Sequence, residues 1–457
     1  MNKRDCEMQS LFVIHQIFAD IFQKIIVKFC RMLHNCFISL NRIFIIKRWG
    51  SCREGNETYM KKKKPWVKPR HTVVRKLVGA VLAPYVKLKY HVKITPFKNP
   101  EKRQFLIVMN HQTAYDQFFV GLAFDCPVYY IASEDLFSMG WVSSLIRYLV
   151  APIPIKKQTS DLKAVKNCVR VVKEGGTIAL APEGNRTYSG KMVYVKPSII
   201  KLLRVLKLPL AIFQIKGGYG VQPRWSDVVR KGKMSAGVTR VIEPEEYKSL
   251  TDEELYDLIL KELDGDETVI KDVYYHKKNA EYLERVLYVC PHCGLSTFES
   301  HNDILECRTC GRQFRYLPSK EFEGVNCEAP FVNVSDWYEY QCDFVNELDY
   351  TAYLDKPMYQ EEVCLSEVIL YKNKKLINKN ARIALYGDRV VIDEMEIAFE
   401  QAGTITVLGK NKLNIYIDDK VYQLKGDKTF NALKYVNMFY HYKNVSKGDN
   451  NEQFLGL

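Results

Sequence analysis

The chain has 457 residues, which is too many for one compact core, so we expect two to four domains. Hydrophobic residues make up 47% and charged residues 26% of the sequence, a composition that excludes disordered and fibrous proteins. The net charge of +14 is concentrated in residues 60–100, which contain twelve lysines and arginines and no acidic residue. The thirteen cysteines do not form the framework of a disulfide-rich secreted protein, so we expect a reducing cytoplasm.

Residues 11–46 are rich in Phe, Ile, Val and Leu, and their polar residues recur mostly three or four positions apart. This spacing predicts an amphipathic helix lying at a membrane surface, because its charges interrupt any apolar run long enough to cross a bilayer. An alternative interpretation is that translation starts at Met60, which would make residues 1–59 a mis-called extension. The mass of the intact protein distinguishes these two starts.

Residues 60–100 form a basic segment in which apolar side chains such as Trp66, Leu77 and Tyr85 alternate with the cationic ones. Such a segment calls for an anionic partner, and nucleic acid and anionic lipid are the two candidates. The interleaved apolar residues favour a membrane surface, so we expect this segment to dock on anionic lipid. The plain alternative is a basic face that contacts only solvent.

From Phe105 to about Leu210, short apolar runs alternate with longer segments of helical periodicity. The clearest predicted strands are Phe105–Met109, Val128–Ala132 and Thr177–Ala181. This alternation predicts an α/β layer fold, in which helices cover a sheet. A capping-box pattern starting at Thr251 then opens a further helix.

The first of these strands leads directly into His111 and, five residues later, Asp116. A histidine beside a carboxylate suits general-base chemistry, because the acid fixes the tautomer and stabilises the imidazolium that forms. Residues five apart do not face each other on a helix, so we expect His111 to precede the helix and the chain to turn toward Asp116. The alternative is that Thr113 and Asp116 form a capping-box-like start, so that Asp116 only caps the helix and His111 is a surface residue.

A second chemically distinctive loop follows strand Thr177–Ala181 and reads Pro-Glu-Gly-Asn-Arg. Within it, Gly184 permits a tight turn close to a ligand, and the guanidinium of Arg186 suits a phosphate. Both loops lie just past strand ends, where open α/β sheets bind their ligands. The alternative for Glu183 and Arg186 is a solvated pair of charges that carries little energy.

His-x4-Asp followed about seventy residues later by Pro-Glu-Gly-x-Arg resembles the 1-acylglycerol-3-phosphate (lysophosphatidate) O-acyltransferase family. Two further blocks, Ile153–Lys157 and Leu208–Ala211, are similar to family blocks in the same order, so the resemblance covers roughly residues 75–245. The chain departs from the family at Lys156, where Asp is usual, and at Lys157, where Arg is usual. Lysine keeps the positive charge but loses bidentate geometry.

The resemblance implies that His111 is the base that activates a glycerol hydroxyl and that Asp116 orients it. It implies an acceptor site whose phosphate is bound by cationic side chains; the implied acceptor residues are Glu183, Gly184, Arg186 and Lys157. The implied reaction moves a fatty acyl group from acyl-CoA or acyl-carrier protein to lysophosphatidate and gives phosphatidate. No catalytic metal and no covalent acyl-enzyme are implied.

Further along, two Cys-x2-Cys pairs are separated by thirteen residues; they are Cys290 with Cys293 and Cys307 with Cys310. Four thiolates at this spacing predict a zinc ribbon, and the zinc is expected to be structural because no ligand position stays open. Iron in a rubredoxin-like site is the alternative metal. Few basic residues lie close to these cysteines, so we expect a spacer or docking module.

Residues 317–362, rich in Tyr, Glu and Asp, are expected to form a linker. From residue 363 to about 445 the sequence changes to short β-rich runs separated by turn signals, and it ends in an amphipathic helix predicted from Thr429 to about Tyr442. Several antiparallel strands followed by one helix resemble a pleckstrin-homology or GRAM-like barrel in architecture alone.

The sequence therefore predicts an α/β fold with a glycerolphosphate-acyltransferase-like core at 75–285, a zinc ribbon at 286–316 and a mostly-β C-terminal domain ending in a helix. We expect a phospholipid-synthesising acyltransferase, peripheral or monotopic, on the cytoplasmic face of the cell membrane. Two alternatives are a zinc-ribbon nucleic-acid-binding protein and an inactive lipid-binding scaffold. We do not expect nucleic acid as a partner, because a nucleic-acid-binding function would leave the loops of His111 and Glu183 unexplained.

Overall fold

The computed structural model describes residues 64–155 and 162–447 of the chain. Its first part is built on a sheet of seven strands: β1 (Val92–Ile94), β2 (Leu106–Met109), β3 (Val128–Ser133), β4 (Ile153–Ile155), β5 (Thr177–Leu180), β6 (Leu210–Lys216) and β7 (Met234–Ile242). The strand order across the sheet is β1-β7-β6-β2-β5-β3-β4. Neighbours run parallel except for β6 and β7, which are antiparallel.

Eight helices accompany this sheet in the described ranges: α1 (Pro69–Tyr90), α2 (Asp116–Ala123), α3 (Trp141–Leu149), α4 (Leu162–Lys173), α5 (Ser198–Leu206), α6 (Gly218–Val221), α7 (Pro244–Lys248) and α8 (Asp252–Leu263). Alternate residues of β2 point to opposite faces: Leu106 and Val108 pack with α4, α5 and α8, whereas Ile107 and Met109 pack with α1 and α2. Because both faces are covered, the strand is apolar throughout its length. The α/β fold predicted from the sequence is confirmed.

A smaller antiparallel module contains the four paired cysteines. Its strands are β8 (Val289–Cys290), β9 (Gly294–Leu295), β10 (Phe298–His301), β11 (Ile304–Cys307), β12 (Gln313–Tyr316) and β13 (Phe322–Gly324). Helix α9 (Val334–Asn346) follows in the stretch that was expected to be a linker. Its Trp337 is fully buried and packs edge-on against Phe298 and Phe314, so aromatic residues of this stretch belong to a packed core.

The C-terminal part is an antiparallel sheet of seven strands: β14 (Tyr359–Glu367), β15 (Lys375–Leu385), β16 (Arg389–Ile392), β17 (Met395–Ala398), β18 (Thr404–Leu408), β19 (Lys412–Ile417) and β20 (Lys420–Lys425). In the order β17-β16-β15-β14-β20-β19-β18, strands β17 and β18 lie at opposite ends and do not pair, so the barrel stays open and the sheet is a half-barrel. Helix α10 (Leu433–Lys447) packs on it, as the sequence predicted. Cys290, Trp337 and Leu424 belong to one apolar cluster, so cysteine module, α9 and half-barrel share a core.

In the ranges 64–155 and 162–447, none of the helices combines the length and the apolar character that a bilayer span requires. The helix predicted within residues 11–46, the question of a start at Met60 and the implied acceptor residue Lys157 lie outside the described residues.

Candidate functional site

Two loops meet at one edge of the main sheet. Strands β2 and β5 are parallel neighbours, so the loops that follow them leave the sheet on the same side. The backbone N–H of Thr187, in the second loop, donates a hydrogen bond of 3.2 Å to the carbonyl oxygen of His111, in the first. The two sequence motifs are thus brought together at the sheet edge.

His111 and Asp116 form a hydrogen-bonded pair, with 2.7 Å between Nδ1 and Oδ2. A carboxylate can only accept, so Nδ1 carries the proton and Nε2 is the proton acceptor of the ring. The side chain of Asp116 is fully buried, whereas a quarter of the His111 side chain is exposed. The imidazole therefore presents its basic nitrogen to an incoming group while its other nitrogen is held from inside the protein.

The carboxylate of Asp116 also holds the turn that carries His111. It accepts hydrogen bonds from the backbone N–H groups of Gln112 at 2.7 Å and Thr113 at 2.9 Å, and from the Thr113 hydroxyl at 2.6 Å. Helix α2 begins at Asp116, and its cap residue Tyr115 makes no side-chain capping bond. The carboxylate thus bonds both to Thr113, the residue that the capping-box spacing pairs with it, and to His111, so Asp116 does more than cap the helix.

Glu183 joins the two loops from inside. Its Oε1 accepts from the backbone N–H of His111 at 2.8 Å, and its Oε2 accepts from that of Val193 at 3.1 Å. Burial raises the pKa of the Glu183 carboxyl to about 8, although both backbone donors oppose the shift. Glu183 is therefore no member of a solvated ion pair, and its contacts are with the main chain that positions His111.

We expect Glu183 to impose a pH dependence on stability. Its folded pKa of about 8 lies above the ordinary value of 4.5, so the folded state binds more protons between these values. The free energy of unfolding is then expected to fall as pH rises through that window, by up to about 1.4 kcal/mol per pH unit. Urea melts at several pH values measure this slope, which should be absent from the Glu183→Gln variant. Parallel curves for both proteins would contradict the expectation.

Gly184 and Arg186 complete the second loop. Gly184 adopts a φ of +69°, in the left-handed region, and its N–H bonds to the carbonyl of Ala181 to close a tight turn. Burial, followed by the nearby Arg224, lowers the pKa of Arg186 to about 10. One terminal nitrogen of the Arg186 guanidinium, Nη1, is buried without a hydrogen-bond partner in the described part of the chain. An unsatisfied cationic donor of this kind suits an anionic ligand group.

Arg224 is a second buried guanidinium at this site that the sequence did not point to. Its side chain is 2% exposed, and it donates to the carbonyl oxygens of Arg186 and Gly409 at 3.0 Å each and of Val407 at 3.2 Å. It therefore ties the loop that carries Arg186 to the β18–β19 turn of the half-barrel. These partners lie up to 185 residues away in sequence, and no local pattern could have revealed them.

The four cysteines of the two Cys-x2-Cys pairs come together as predicted; their sulfur atoms all lie within 4.8 Å of one another. The distances are 3.8 Å between Cys290 and Cys310 and 3.6 Å between Cys293 and Cys307. Tetrahedral zinc with four sulfur ligands requires separations of about 3.8 Å. The cluster could therefore hold a metal ion of this kind.

Part of the chain is similar in sequence to known acyltransferases. A sequence profile described as Acyltransferase matches residues 91–215. The 1-acyl-sn-glycerol-3-phosphate acyltransferase of Bacillus subtilis (strain 168) is 22% identical over 181 residues, which are 39% of this chain and 87% of that protein. The crystal structure of the 1-acyl-sn-glycerophosphate acyltransferase PlsC from Thermotoga maritima aligns with a TM-score of 0.34 at 22% identity, covering 42% of this chain and 75% of that one. This chain thus contains an acyltransferase domain, followed by a four-cysteine cluster and a β half-barrel.

Proposed function

We propose that this protein transfers a fatty acyl group from acyl-CoA or acyl-carrier protein to the free hydroxyl of 1-acylglycerol-3-phosphate, giving phosphatidate. The observation that carries the proposal is the His111–Asp116 pair, oriented with Nε2 as its basic atom, on a domain of the acyltransferase family. The unpartnered nitrogen of Arg186 in the adjoining loop supports a phosphate-bearing acceptor.

In the proposed reaction, His111 Nε2 takes the proton of the acceptor hydroxyl as its oxygen attacks the thioester carbonyl. Asp116, bonded to Nδ1, stabilises the imidazolium that forms, and its buried carboxylate keeps the ring in the correct orientation. The tetrahedral intermediate collapses by breaking the carbon–sulfur bond, and the departing sulfur takes the proton from His111. The products are an ester and a free thiol, and His111 returns to its neutral form.

On the acceptor side, we propose that Arg186 binds the phosphate and that Glu183 and Gly184 shape the loop around it. Lys157, which lies outside the described residues, is proposed as a second phosphate contact. Glu183 would act through the backbone N–H of His111 and not by touching the substrate. Since its pKa is raised, no negative charge of its own opposes the phosphate at neutral pH.

The lipid acceptor places the reaction at a membrane, and we propose that the chain docks on the cytoplasmic face through its basic segment. Helix α1 supports this, because Val73, Leu77 and Val81 recur every fourth residue and are all exposed. The helix also contains five lysines and arginines and no acidic residue. An exposed apolar stripe among cations suits an anionic bilayer surface.

We propose that the cysteine cluster holds a structural zinc ion. We also propose that the chain is divided into an acyltransferase domain, a ribbon and a half-barrel, as the sequence predicts.

The arginines of the ribbon give little support to a nucleic-acid partner. Arg308 pairs with Glu306, and Arg315 pairs with Asp303 and Glu323, so these two of the three ribbon arginines already face carboxylates. Nη1 of the third, Arg312, is buried. A phosphate backbone would have to displace these partners.

The test is acyl transfer from labelled acyl-CoA and acyl-carrier protein to lysophosphatidate, with 1-acylglycerol as the acceptor that lacks phosphate. Formation of labelled phosphatidate with one donor, and little product from 1-acylglycerol, is the expected result. Equal use of both acceptors would show that the enzyme does not recognise the phosphate, and would leave an acyltransferase of another specificity. Absence of transfer with both donors and both acceptors would overturn the proposed reaction.

We expect Arg186→Ala to raise KM for lysophosphatidate by about 10- to 100-fold with a smaller change in kcat, because a charge-assisted bond to the phosphate is lost. Arg186→Lys should recover part of this loss, since it restores the charge without the bidentate fork. Steady-state kinetics with varied acceptor measure both effects. The matched control is Arg240→Ala, which removes an arginine paired with Glu246 and Glu262 away from the two loops and should leave KM unchanged.

A further inference from the structure

Large apolar side chains are exposed to solvent at the end of the β14–β15 hairpin. Leu376 and Ile377, at the start of β15, are 58% and 48% exposed, and Leu370 and Tyr371 in the connection are also exposed. Four large apolar side chains exposed at one hairpin end are characteristic of a binding surface. We call residues 368–379 the β14–β15 tip.

The charge of the β14–β15 tip favours an anionic partner. The segment contains four lysines and no acidic residue. In the described ranges, no carboxylate lies within ion-pair distance of Lys372, Lys375 or Lys379, and all three are exposed. Lys374 instead turns inward, toward Asp135 and Gln423. Unpaired lysines around exposed Leu and Ile match an anionic lipid surface, which offers both phosphate charge and hydrocarbon.

The β14–β15 tip lies against the acyltransferase domain, next to helix α3. The backbone N–H of Tyr371 donates to the carbonyl of Phe137 at 2.9 Å, and the guanidinium of Arg147, in α3, lies 4.8 Å from the Tyr371 ring centre. On α3, Tyr148 stacks under the guanidinium of Arg70, from the start of α1, at 3.8 Å. Helix α3 therefore bridges the tip and α1 at the surface.

Helix α3, which lies between α1 and the β14–β15 tip, also exposes large apolar side chains. Trp141 at its first turn and Tyr148 at its last are both exposed. Three surface elements are thus successive neighbours: the exposed stripe of α1, the two aromatic rings of α3 and the β14–β15 tip. None of the three contains an acidic residue, so their exposed charges are positive. Tryptophan and tyrosine are the side chains that proteins place at the level of lipid headgroups.

We propose that the β14–β15 tip is a second membrane contact, which inserts Leu376 and Ile377 into a bilayer containing anionic phospholipid. The inference rests on the proposed membrane docking of α1 and assigns the half-barrel a part in it. One helix lying on a bilayer leaves the protein able to roll about the helix axis. A second contact on the far side of α3 removes that freedom and fixes the height of the His111 edge above the lipid.

The test is co-sedimentation of the full chain with vesicles of phosphatidylcholine, with or without phosphatidylglycerol. Leu376→Ser combined with Ile377→Ser is expected to weaken binding by about 100-fold or more, since two buried apolar side chains are lost. Lys372→Glu combined with Lys375→Glu is expected to weaken binding to the anionic vesicles by about tenfold or more. The controls are Val269→Ser with Val273→Ser, which are similarly exposed elsewhere, and Lys201→Glu with Lys261→Glu, two exposed lysines of α5 and α8 on the sheet face opposite α1; both should bind as wild type does.

A further variant, Leu77→Ser with Val81→Ser, removes the α1 stripe. Loss of binding by this variant but not by the tip variants would overturn the second contact and leave α1 docking in place. Equal losses in tip and control variants would also overturn it, because the effect would then be unspecific. Acyl transfer to lysophosphatidate in detergent micelles is measured in parallel. Tip variants that lose vesicle binding while the wild type transfers no acyl group would sustain the contact and refute the proposed reaction instead.

Discussion

Replacing His111 with alanine is expected to lower kcat/KM for acyl transfer by about 10²- to 10⁴-fold while the protein stays folded. The imidazole is the proposed proton acceptor, so its removal takes away the base. The contacts that His111 makes to Glu183 and Thr187 use its backbone N–H and carbonyl oxygen, and alanine retains both. Transfer from labelled donor to lysophosphatidate on anionic vesicles measures the loss, and the melting temperature and metal content show that the fold is intact.

The matched control for this variant is His301→Ala, which removes an exposed histidine of β10 and should retain full activity. Asp116→Asn should lose activity and stability together. Its single amide oxygen cannot replace two carboxylate oxygens that accept from His111, Gln112 and Thr113. Full activity in His111→Ala would assign the base to another group and would refute the proposed mechanism.

Cys290→Ser combined with Cys307→Ser is expected to abolish metal binding and to lower the melting temperature of the C-terminal half by about 10 °C or more. Both cysteines are buried in the apolar cluster that also contains Trp337 and strands of the half-barrel. The two remaining cysteines cannot hold the metal, and the cluster would lose its support at that end. Metal analysis of the purified protein and calorimetry of wild type and variant provide the measurement.

Cys327→Ser is the control for this substitution, because Cys327 lies half-buried beside the ribbon, outside the group of four sulfurs. It should retain one metal ion per chain and the wild-type melting temperature. A wild-type protein that purifies without metal and melts at the same temperature after treatment with chelator would refute a structural metal.

Much of the fold could be predicted from local patterns in the sequence. Strands β2, β3 and β5 occur within one residue of their predicted bounds, since each is a short apolar run. The capping box at Thr251 is present, with Thr251 and Glu254 each accepting from the other's backbone N–H. These features depend on neighbours within a few residues, so the sequence alone could reveal them.

The features that the sequence did not reveal depend on distant partners. Residues of helix α9 were expected to be part of a linker, because the stretch is polar and aromatic without a clear helical pattern. Its helix is stabilised by the packing of Trp337 against the ribbon, which the local sequence does not show. Arg224 lies in an irregular segment and acquires its role only from carbonyl groups of the half-barrel. At the site, the sequence placed His111 and Asp116 in a turn, but the hold of Glu183 on the backbone of His111 required the fold.

The several hydrogen bonds of Asp116 have a consequence for how such a domain could change during evolution. Selection for folding alone would retain this aspartate, because losing it leaves three or more donors of the turn unpaired at a cost of about 1–3 kcal/mol each. His111 is tied to the fold only through its main chain, so a lineage released from catalysis could replace it freely. Among descendants, a lone substitution of the histidine beside an unchanged aspartate would therefore mark the pseudoenzymes.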